Sequence, residues 1–331
     1  MDILTQGVIG AVTAQSIAKK KEIRSASVVG FIAGLLADAD VLIRSNSDPL
    51  LTLEYHRHFT HSIFFIPVGA LIAFLILWPC FRKRLPNKNL YFYCLAGYMF
   101  SGFIDTCTSY GTYYLWPLIN ERIAWHIIAI IDPVFTGILV VCLVIGLKAE
   151  KPIAARTGLS LAGLYLLLGV IQLQRAESFI EGVAIERGHT IERLMVKPTI
   201  ANNILWRSIY LADGNFYIDA VRAGWSGKLF EGDSVRLFNL ERDMPLLGTN
   251  TLLAQDIKRF EYFSDNYVSF YPGKEYILGD VRYAMSPVST IPLWGIEMDL
   301  NRPEQHVKYN FYRDSSKESK QRFMDMLFNR Y

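Results

Sequence analysis

Ionisable side chains gather at a few positions of this sequence. The stretch YHRHFTH places His56, Arg57, His58 and His61 immediately before an apolar run that begins at Ile63. Carboxylates lie at the ends of other apolar runs, at Asp38, Asp40, Asp105 and Asp132. Ionisable groups at the rim of a membrane segment are energetically costly, so they are functional candidates by default.

Carboxylates and imidazoles together form a mixed oxygen and nitrogen ligand set, which suits Zn²⁺ and also Mn²⁺ or Fe²⁺. Such an ion would offset the cost of burying several acids, lower the pKa of a water molecule and polarise an ester or phosphoryl oxygen. Arg57 could hold an anionic substrate group or a developing oxyanion. Asp38 and Asp40 would point about 200° apart on a regular helix, so both bind one ion only if the helix ends there.

The elements that must position these residues are membrane helices. The chain has 331 residues, of which 51% are hydrophobic and only 20% are charged. Residues 1–173 carry 14 Lys/Arg and 10 Asp/Glu, against 20 and 21 in the rest of the chain. This asymmetry predicts a helical membrane domain over 1–173 and a soluble domain over 174–331. The apolar stretches predict five to six spans, at 3–18, 25–43, 62–81, 89–107, 124–147 and 157–173.

Loop charges predict the orientation of the spans. The loops at 19–24, 82–88 and 148–156 hold eleven Lys/Arg, whereas the alternate loops at 44–61 and 108–123 hold three. The basic loops should therefore be cytoplasmic, which puts the C-terminal half outside the cytoplasm. The acids and imidazoles then all lie at the outer membrane face. They were not part of the Lys/Arg count that predicted the orientation.

Each of these features also has a simpler interpretation. A histidine cluster before a span is typical of an interfacial loop, in which Arg57 contacts lipid headgroups. Asp132 precedes Pro133 and is well placed to cap a helix, and Asp105 is well placed to accept hydrogen bonds in a turn. Taken together, however, the one-sided clustering favours a metal site.

The C-terminal half differs in pattern. Turn signals such as ADGNFY and YPGKEY separate alternating stretches such as YVSFY, which predict a mostly β domain with a helical stem at its start and a helical tail at its end. No phosphate-binding loop or nucleophile elbow occurs there. The net charge of +3 gives no reason to expect nucleic acid as a partner, and the four cysteines have no paired spacing that would predict a disulfide framework.

The chain contains, in order, the segments MDILTQGVIGAV, LADADVLI, HRHFTHSIFF, DTCTSYGTYYLWP and IIDPVFTG. These segments resemble the membrane-bound metal-dependent hydrolase family of YdjM-like inner-membrane proteins, over about residues 1–145. The resemblance implies a multi-spanning protein of the bacterial inner membrane with a divalent-metal site, and it supplies no substrate. The positions that it marks are Asp38, Asp40, His56, Arg57, His61, Asp105, Thr108 and Asp132.

The sequence departs from the family pattern at three positions. Ala37 replaces the usual proline before the acid pair, and His58 replaces the usual glycine, so His58 inherits no role from the resemblance. Ser101 replaces a histidine four residues before Asp105. One hypothesis is that His126, at the start of the next span, supplies the missing imidazole as a ligand or as a partner that orients a carboxylate. The alternative is an ordinary histidine at the membrane interface.

We predict an integral inner-membrane, metal-dependent hydrolase that acts on a membrane lipid or another amphiphile with an ester or phosphoester bond. The predicted metal ligands are Asp40, His56, His61 and Asp105. Asp38 or Asp132 is predicted as the base and Arg57 as the residue that steadies the anion, with Thr108, His126 and Ser101 beside the ligands. Two alternatives stay open: a transporter that uses these groups as an ion or proton relay, and an inactive scaffold whose outer domain binds a partner.

Overall fold

The structure is a computed structural model that describes residues 1–45, 47–224, 227–313 and 316–330. The chain forms two compact units. The first unit comprises Met1–Leu42, Tyr55–Ile171 and Ile200–Asn203, and the second comprises Ile43–Glu54, Gln172–Thr199 and Ile204–Tyr331.

The α-helices begin and end as follows: α1 Ile3–Ser16, α2 Ile23–Leu35, α3 Leu51–Tyr55, α4 Ile66–Phe81, α5 Asn87–Met99, α6 Ser101–Thr106, α7 Pro133–Ala149, α8 Ile153–Glu186, α9 Leu240–Asp243, α10 Leu252–Phe263 and α11 Lys317–Leu327. Short 3-10 helices extend several of them, and the one at Leu36–Leu42 continues directly from α2.

Fewer helices are suited to cross a membrane than the five to six that the sequence predicted. Among the described residues, three helical segments are long and apolar enough, at Lys20–Leu42, Ile63–Phe81 and Ile153–Glu186. A full crossing needs about 20 residues, but α1 has 14 residues and α5 has 13. The stretch predicted at 124–147 is helical only from Pro133, which leaves α7 as a shorter apolar helix. The predicted span count was therefore too high.

Glycine allows α1, α2 and α5 to pack at very short range. A Cβ atom on Gly97 of α5 would lie 2.6 Å from the carbonyl oxygen of Gly30 in α2, and a Cβ on Gly10 of α1 would overlap the same oxygen. Only a residue without a Cβ fits such a crossing. Gly30 and Gly34 of α2 both lie in this contact, as small residues at close helix crossings commonly do.

Two antiparallel sheets form most of the second unit, which confirms the mostly β C-terminal domain. The strands are β1 Arg193–Pro198, β2 Leu205–Ala212, β3 Asn215–Arg222, β4 Lys228–Phe230, β5 Ser234–Arg236, β6 Val268–Tyr271, β7 Lys274–Asp280, β8 Trp294–Glu297 and β9 Lys308–Phe311. The first sheet has the order β1-β2-β3-β4, with β5 also paired to β3, and the second has the order β6-β7-β8-β9.

The segment Ile43–Glu54 belongs to the second unit, although it follows α2 in the chain. Leu50 is fully buried in a hydrophobic cluster with Leu253, Ile257 and Phe260 of α10 and with residues of the second sheet. Arg259 of α10 donates hydrogen bonds to Asp48, at 2.9 and 3.1 Å, and to Glu54, at 3.1 Å. Apolar burial and charge pairing together hold this segment in the second unit.

Candidate metal centre

Three short elements of the first unit carry the acids and the histidine of the candidate site. The 3-10 helix after α2 carries Asp38 and Asp40, the 3-10 turn Phe59–His61 ends with His61, and α6 carries Asp105. The regular helix ends at Leu35, before the acid pair. The two carboxylates leave the backbone in different directions, and the imidazole of His61 contacts both of them.

Asp38, His61 and Asp105 bring one ligand atom each to a common point, with all three atoms within 4.8 Å of one another. The Nε2 atom of His61 lies 3.3 Å from Oδ1 of Asp38 and 3.1 Å from Oδ2 of Asp105. Neither contact has hydrogen-bond geometry, so among the described residues the buried Asp38 Oδ1 and His61 Nε2 have no hydrogen-bond partner.

Unpartnered polar atoms that are buried together call for a physical explanation. One imidazole nitrogen and two carboxylate oxygens, converging on a point, are a suitable partial ligand set for Zn²⁺, Mn²⁺ or Fe²⁺. A divalent cation would satisfy both Asp38 Oδ1 and His61 Nε2. The residues present therefore fit the ion that the sequence analysis predicted.

Asp40 and His56 lie together at the other edge of the His61 ring. Oδ2 of Asp40 lies 3.3 Å from Nδ1 of His61 and accepts hydrogen bonds from the backbone N–H of Arg57, at 2.7 Å, and from Oγ1 of Thr60, at 2.9 Å. Oδ1 of Asp40 lies 3.1 Å from Nδ1 of His56. Asp40 thus forms hydrogen bonds with Arg57, Thr60 and His56 and also contacts His61, so both of its oxygens are already engaged.

The protonation state of His56 follows from its surroundings. Burial is the largest influence and lowers the pKa of His56, while the hydrogen bond with Asp40 opposes that shift. The nearby charge of Arg57 lowers the pKa further. A lowered pKa keeps the His56 imidazole neutral near pH 7, so it donates one N–H to Asp40 without adding positive charge.

Positive charge and amide groups surround Asp105. The Nε atom of Arg57 lies 3.4 Å from Oδ2 of Asp105, and the same oxygen accepts a hydrogen bond from Nε2 of Gln6 at 2.9 Å. The α-amino group of Met1 donates a short hydrogen bond to Oδ1 of Asp105. Arg57 also donates to Oγ1 of Thr108 at 3.4 Å, and it is itself buried. These contacts compensate the charge of a carboxylate that has no exposure to solvent.

Gly102 sets the distance between α6 and the turn that carries His61. A Cβ atom at this position would overlap the carbonyl oxygen of His61. The missing side chain therefore lets Asp105, three residues further along α6, approach His61. This packing requirement could not be predicted from the sequence alone.

Asp132 has the contacts of a helix cap. Its Oδ1 accepts hydrogen bonds from the backbone N–H groups of Val134, at 3.1 Å, and Phe135, at 3.0 Å, at the start of α7. Its Oδ2 accepts a hydrogen bond from the hydroxyl of Tyr165 at 2.8 Å. Both oxygens of Asp132 accept hydrogen bonds, which confirms the capping interpretation. The mechanism proposed below therefore assigns no role to Asp132.

The remaining predicted residues occupy distinct environments. Ser101 is fully buried and donates a hydrogen bond to the carbonyl of Gly34 at 3.2 Å, which ties α6 to α2. His126 has a left-handed backbone, with φ of 56°, and the backbone N–H groups of its two neighbours bond to the carbonyls of Thr106 and Cys107, just after Asp105. The ring of His58 packs 4.4 Å from that of Tyr113, within an aromatic cluster.

Two residues of the site were missed by sequence reasoning. Gln6 is fully buried on α1 and bonds to Asp105, and Thr60 bonds to Asp40. The available signal for Gln6 was an amide side chain within an apolar helix, in the segment MDILTQGVIGAV that resembles the family. Thr60 offered no comparable signal, because a threonine before a histidine is ordinary.

The apolar helices are typical of a polytopic membrane protein, and the buried acid–histidine cluster is a candidate metal centre. The family described as YdjM inner membrane protein matches residues 1–176, which is more than half of the 331 residues, and the chain belongs to this family. Family membership and the apolar helices together support a location in the inner membrane. No curated protein and no solved structure matches the chain.

Proposed function

We propose that this chain is a metal-dependent hydrolase of the inner membrane, in which Asp38, His61 and Asp105 hold one divalent ion. The observation that carries the proposal is the convergence of their ligand atoms within 4.8 Å, with Asp38 Oδ1 and His61 Nε2 buried and unpartnered among the described residues. This ligand set differs from the one predicted from the sequence, because Asp38 takes the place of Asp40 and His56.

When bound, such an ion supplies Lewis acidity, which lowers the pKa of a water molecule and polarises an ester or phosphoryl oxygen. The hydroxyl of Thr60 lies 3.0 Å from Nδ1 of His61 and donates its own proton to Asp40, so it can accept the Nδ1 proton, and Nε2 presents its lone pair to the cluster. The side chain of Asp38 retains 17% exposure, whereas the side chains of His61 and Asp105 retain none. Water and substrate therefore reach the cluster beside Asp38, which also suits this residue to accept a proton.

The substrate class follows from the position of the cluster and from its charge. Asp38 and His61 lie at the ends of apolar helices, where an amphiphile places its polar bond, so we assign a membrane lipid or another amphiphile with an ester or phosphoester bond. The buried guanidinium of Arg57 lies 5.2 Å from the ring centroid of Tyr110 and beside Asp105. Its positive charge favours an anionic group, or the negative charge that develops during hydrolysis.

Metal analysis tests the site directly. The purified protein is expected to retain about one Zn²⁺, Mn²⁺ or Fe²⁺ per chain after dialysis, measured by plasma mass spectrometry. The His61→Ala variant should lose the metal, and the matched His58→Ala variant should keep it, because His58 packs among aromatic rings. Equal metal content in these two variants would overturn the proposed centre.

Lipid hydrolysis tests the reaction. The protein is incubated with phospholipid vesicles, and released fatty acids and phosphate-containing headgroups are identified by mass spectrometry. Release that depends on added metal, stops with a chelator and is absent from the His61→Ala variant would support a hydrolase. Bound metal without release of any product would favour the scaffold, and uptake of ions into sealed vesicles would favour the transporter.

The orientation is part of the proposal. The loop-charge asymmetry supports a C-terminal domain outside the cytoplasm, with the basic loops inside. An alkaline phosphatase fused to the C-terminus should then be active in cells, and a cytoplasmic fluorescent protein fused at the same point should stay dark. The opposite pair of results would place the domain in the cytoplasm.

A further inference from the structure

A groove on the surface of the helical unit has the composition of a lipid site. It has a volume of about 510 Å³ and lies over Ala11 of α1, between α2 and α7. Its walls are apolar and include Val28, Phe31, Leu143 and Leu147. Arg24, in the first turn of α2, and Lys148, in the last turn of α7, close it at one end. The groove is therefore apolar along its length and basic at one end.

Hydrogen bonds from a buried residue of α1 hold together the helices that form this groove. The side chain of Gln15, which has no exposure, donates to Oγ of Ser27 at 3.2 Å and to the carbonyl of Leu143 at 3.3 Å. Gln15 thus ties α1 to both α2 and α7. These hydrogen bonds hold both walls of the groove, α2 and α7, against α1.

The basic end is exposed and only partly neutralised. The side chain of Arg24 retains 81% exposure, and among the described residues the one acidic group that pairs with it is Glu150, at 3.9 Å. The adjoining loops add four further cations, Lys19, Lys20, Lys21 and Lys151. Basic residues at a membrane surface attract anionic lipid headgroups. We infer that the groove binds one acyl chain of an anionic phospholipid, whose phosphate contacts Arg24 and Lys148.

Native mass spectrometry in detergent tests this inference without use of the metal site. The protein is mixed with phosphatidylglycerol or with phosphatidylcholine of the same acyl chains. The wild type should retain phosphatidylglycerol in clear preference, and an Arg24→Gln/Lys148→Gln variant should lose about ten-fold or more in its affinity for this lipid. A matched Arg82→Gln/Arg84→Gln variant, which removes the same charge from the 82–88 loop, should bind like the wild type.

Two further variants distinguish a specific site from a general charge effect. Glu150→Gln removes the competing acid and should raise the affinity for phosphatidylglycerol a few-fold, a gain that misfolding cannot produce. Val28→Trp narrows the groove and should weaken the binding of both lipids. Equal loss in the matched loop variant, or wild-type binding in both Glu150→Gln and Val28→Trp, would overturn the inference.

Discussion

The Nδ1 atom of His61 lies 3.3 Å from Oδ2 of Asp40, while its Nε2 atom lies 3.3 Å from Oδ1 of Asp38. One imidazole thus stands between the two acids of a single 3-10 helix. Thr60 joins His61 to Asp40, because its hydroxyl lies 3.0 Å from Nδ1 and donates to Asp40, and such a partner at Nδ1 fixes the tautomer of a histidine. In the proposed metal centre the two acids therefore have different roles: Asp38 would act at the metal, and Asp40 would act through Thr60 and His61.

These roles predict different effects for the two asparagine substitutions. Asp40→Asn should lower the affinity for the metal by about 10–100-fold, because the orienting carboxylate is lost while the ligands stay. Asp38→Asn should abolish tight binding, because it removes a ligand. Chelator competition at fixed pH measures both affinities. An Asp40→Asn variant that binds metal less tightly than Asp38→Asn would reverse the assignment.

Because Gly102 packs against the backbone of His61, adding a single methyl group at position 102 should have a strong effect on the site. Gly102→Ala should shift the turn that carries His61, lower stability by roughly 1–3 kcal/mol and weaken metal binding. Gly137→Ala is the control, because a Cβ there has open space and alanine favours a helix. Thermal unfolding in detergent and metal content are measured for both. Equal behaviour of the two variants would contradict the packing argument.

Sequence reasoning succeeded where local chemistry decides the structure. The cap at Asp132–Pro133 and the alternating strands of the C-terminal half depend on neighbouring residues, and both are present. Whether Asp38 or Asp40 faces Nε2 of His61 depends on the change from α-helix to 3-10 helix after Leu35. No residue pattern in the sequence marks that change. The role of Gly102 depends on a contact between residues 41 positions apart, which a single sequence does not encode locally.

The segment 43–54 shows a further limit of sequence reasoning. Most of it falls within 44–61, which the sequence predicted as an outer loop between two membrane spans. In the structure it contributes Leu50 to the hydrophobic cluster around α10 and two acids to Arg259. A single buried leucine within a polar loop carries no periodic signal, so its distant partners could not be identified.

This packing predicts the consequence of truncating Leu50. Leu50→Ala should destabilise the second unit by about 2–5 kcal/mol, because the cavity lies in a fully buried cluster. Leu246→Ala is the matched control: Leu246 is 99% exposed, and its truncation should change stability by less than about 0.5 kcal/mol. Urea denaturation monitored by tryptophan fluorescence gives both values. A Leu50→Ala variant as stable as Leu246→Ala would show that the segment does not contribute to this core.

A buried lysine in the first sheet of the second unit predicts a dependence of stability on pH. Lys197 is 7% exposed, its Nζ lies 3.5 Å from the ring centroid of Tyr283, and Arg207 faces it across the β1–β2 pair. Burial is the main cause that lowers the pKa of Lys197 well below its usual value, and the charge of Arg207 lowers it further, while Asp280 opposes both. The folded state therefore disfavours the proton that the unfolded chain carries.

The sign of the effect follows from proton linkage. Between the lowered pKa of the folded state and the unfolded value of about 10.4, the unfolded chain binds more protons, so stability should rise with pH. Lys197→Met should be more stable than the wild type at pH 7, and the difference should shrink as the pH approaches 10. Lys274→Met is the control, because Lys274 lies 5.1 Å from the Tyr271 ring but is exposed. Urea denaturation at pH 7 and pH 10 measures these differences, and a constant gap between wild type and Lys197→Met would show that Lys197 stays charged in the folded state.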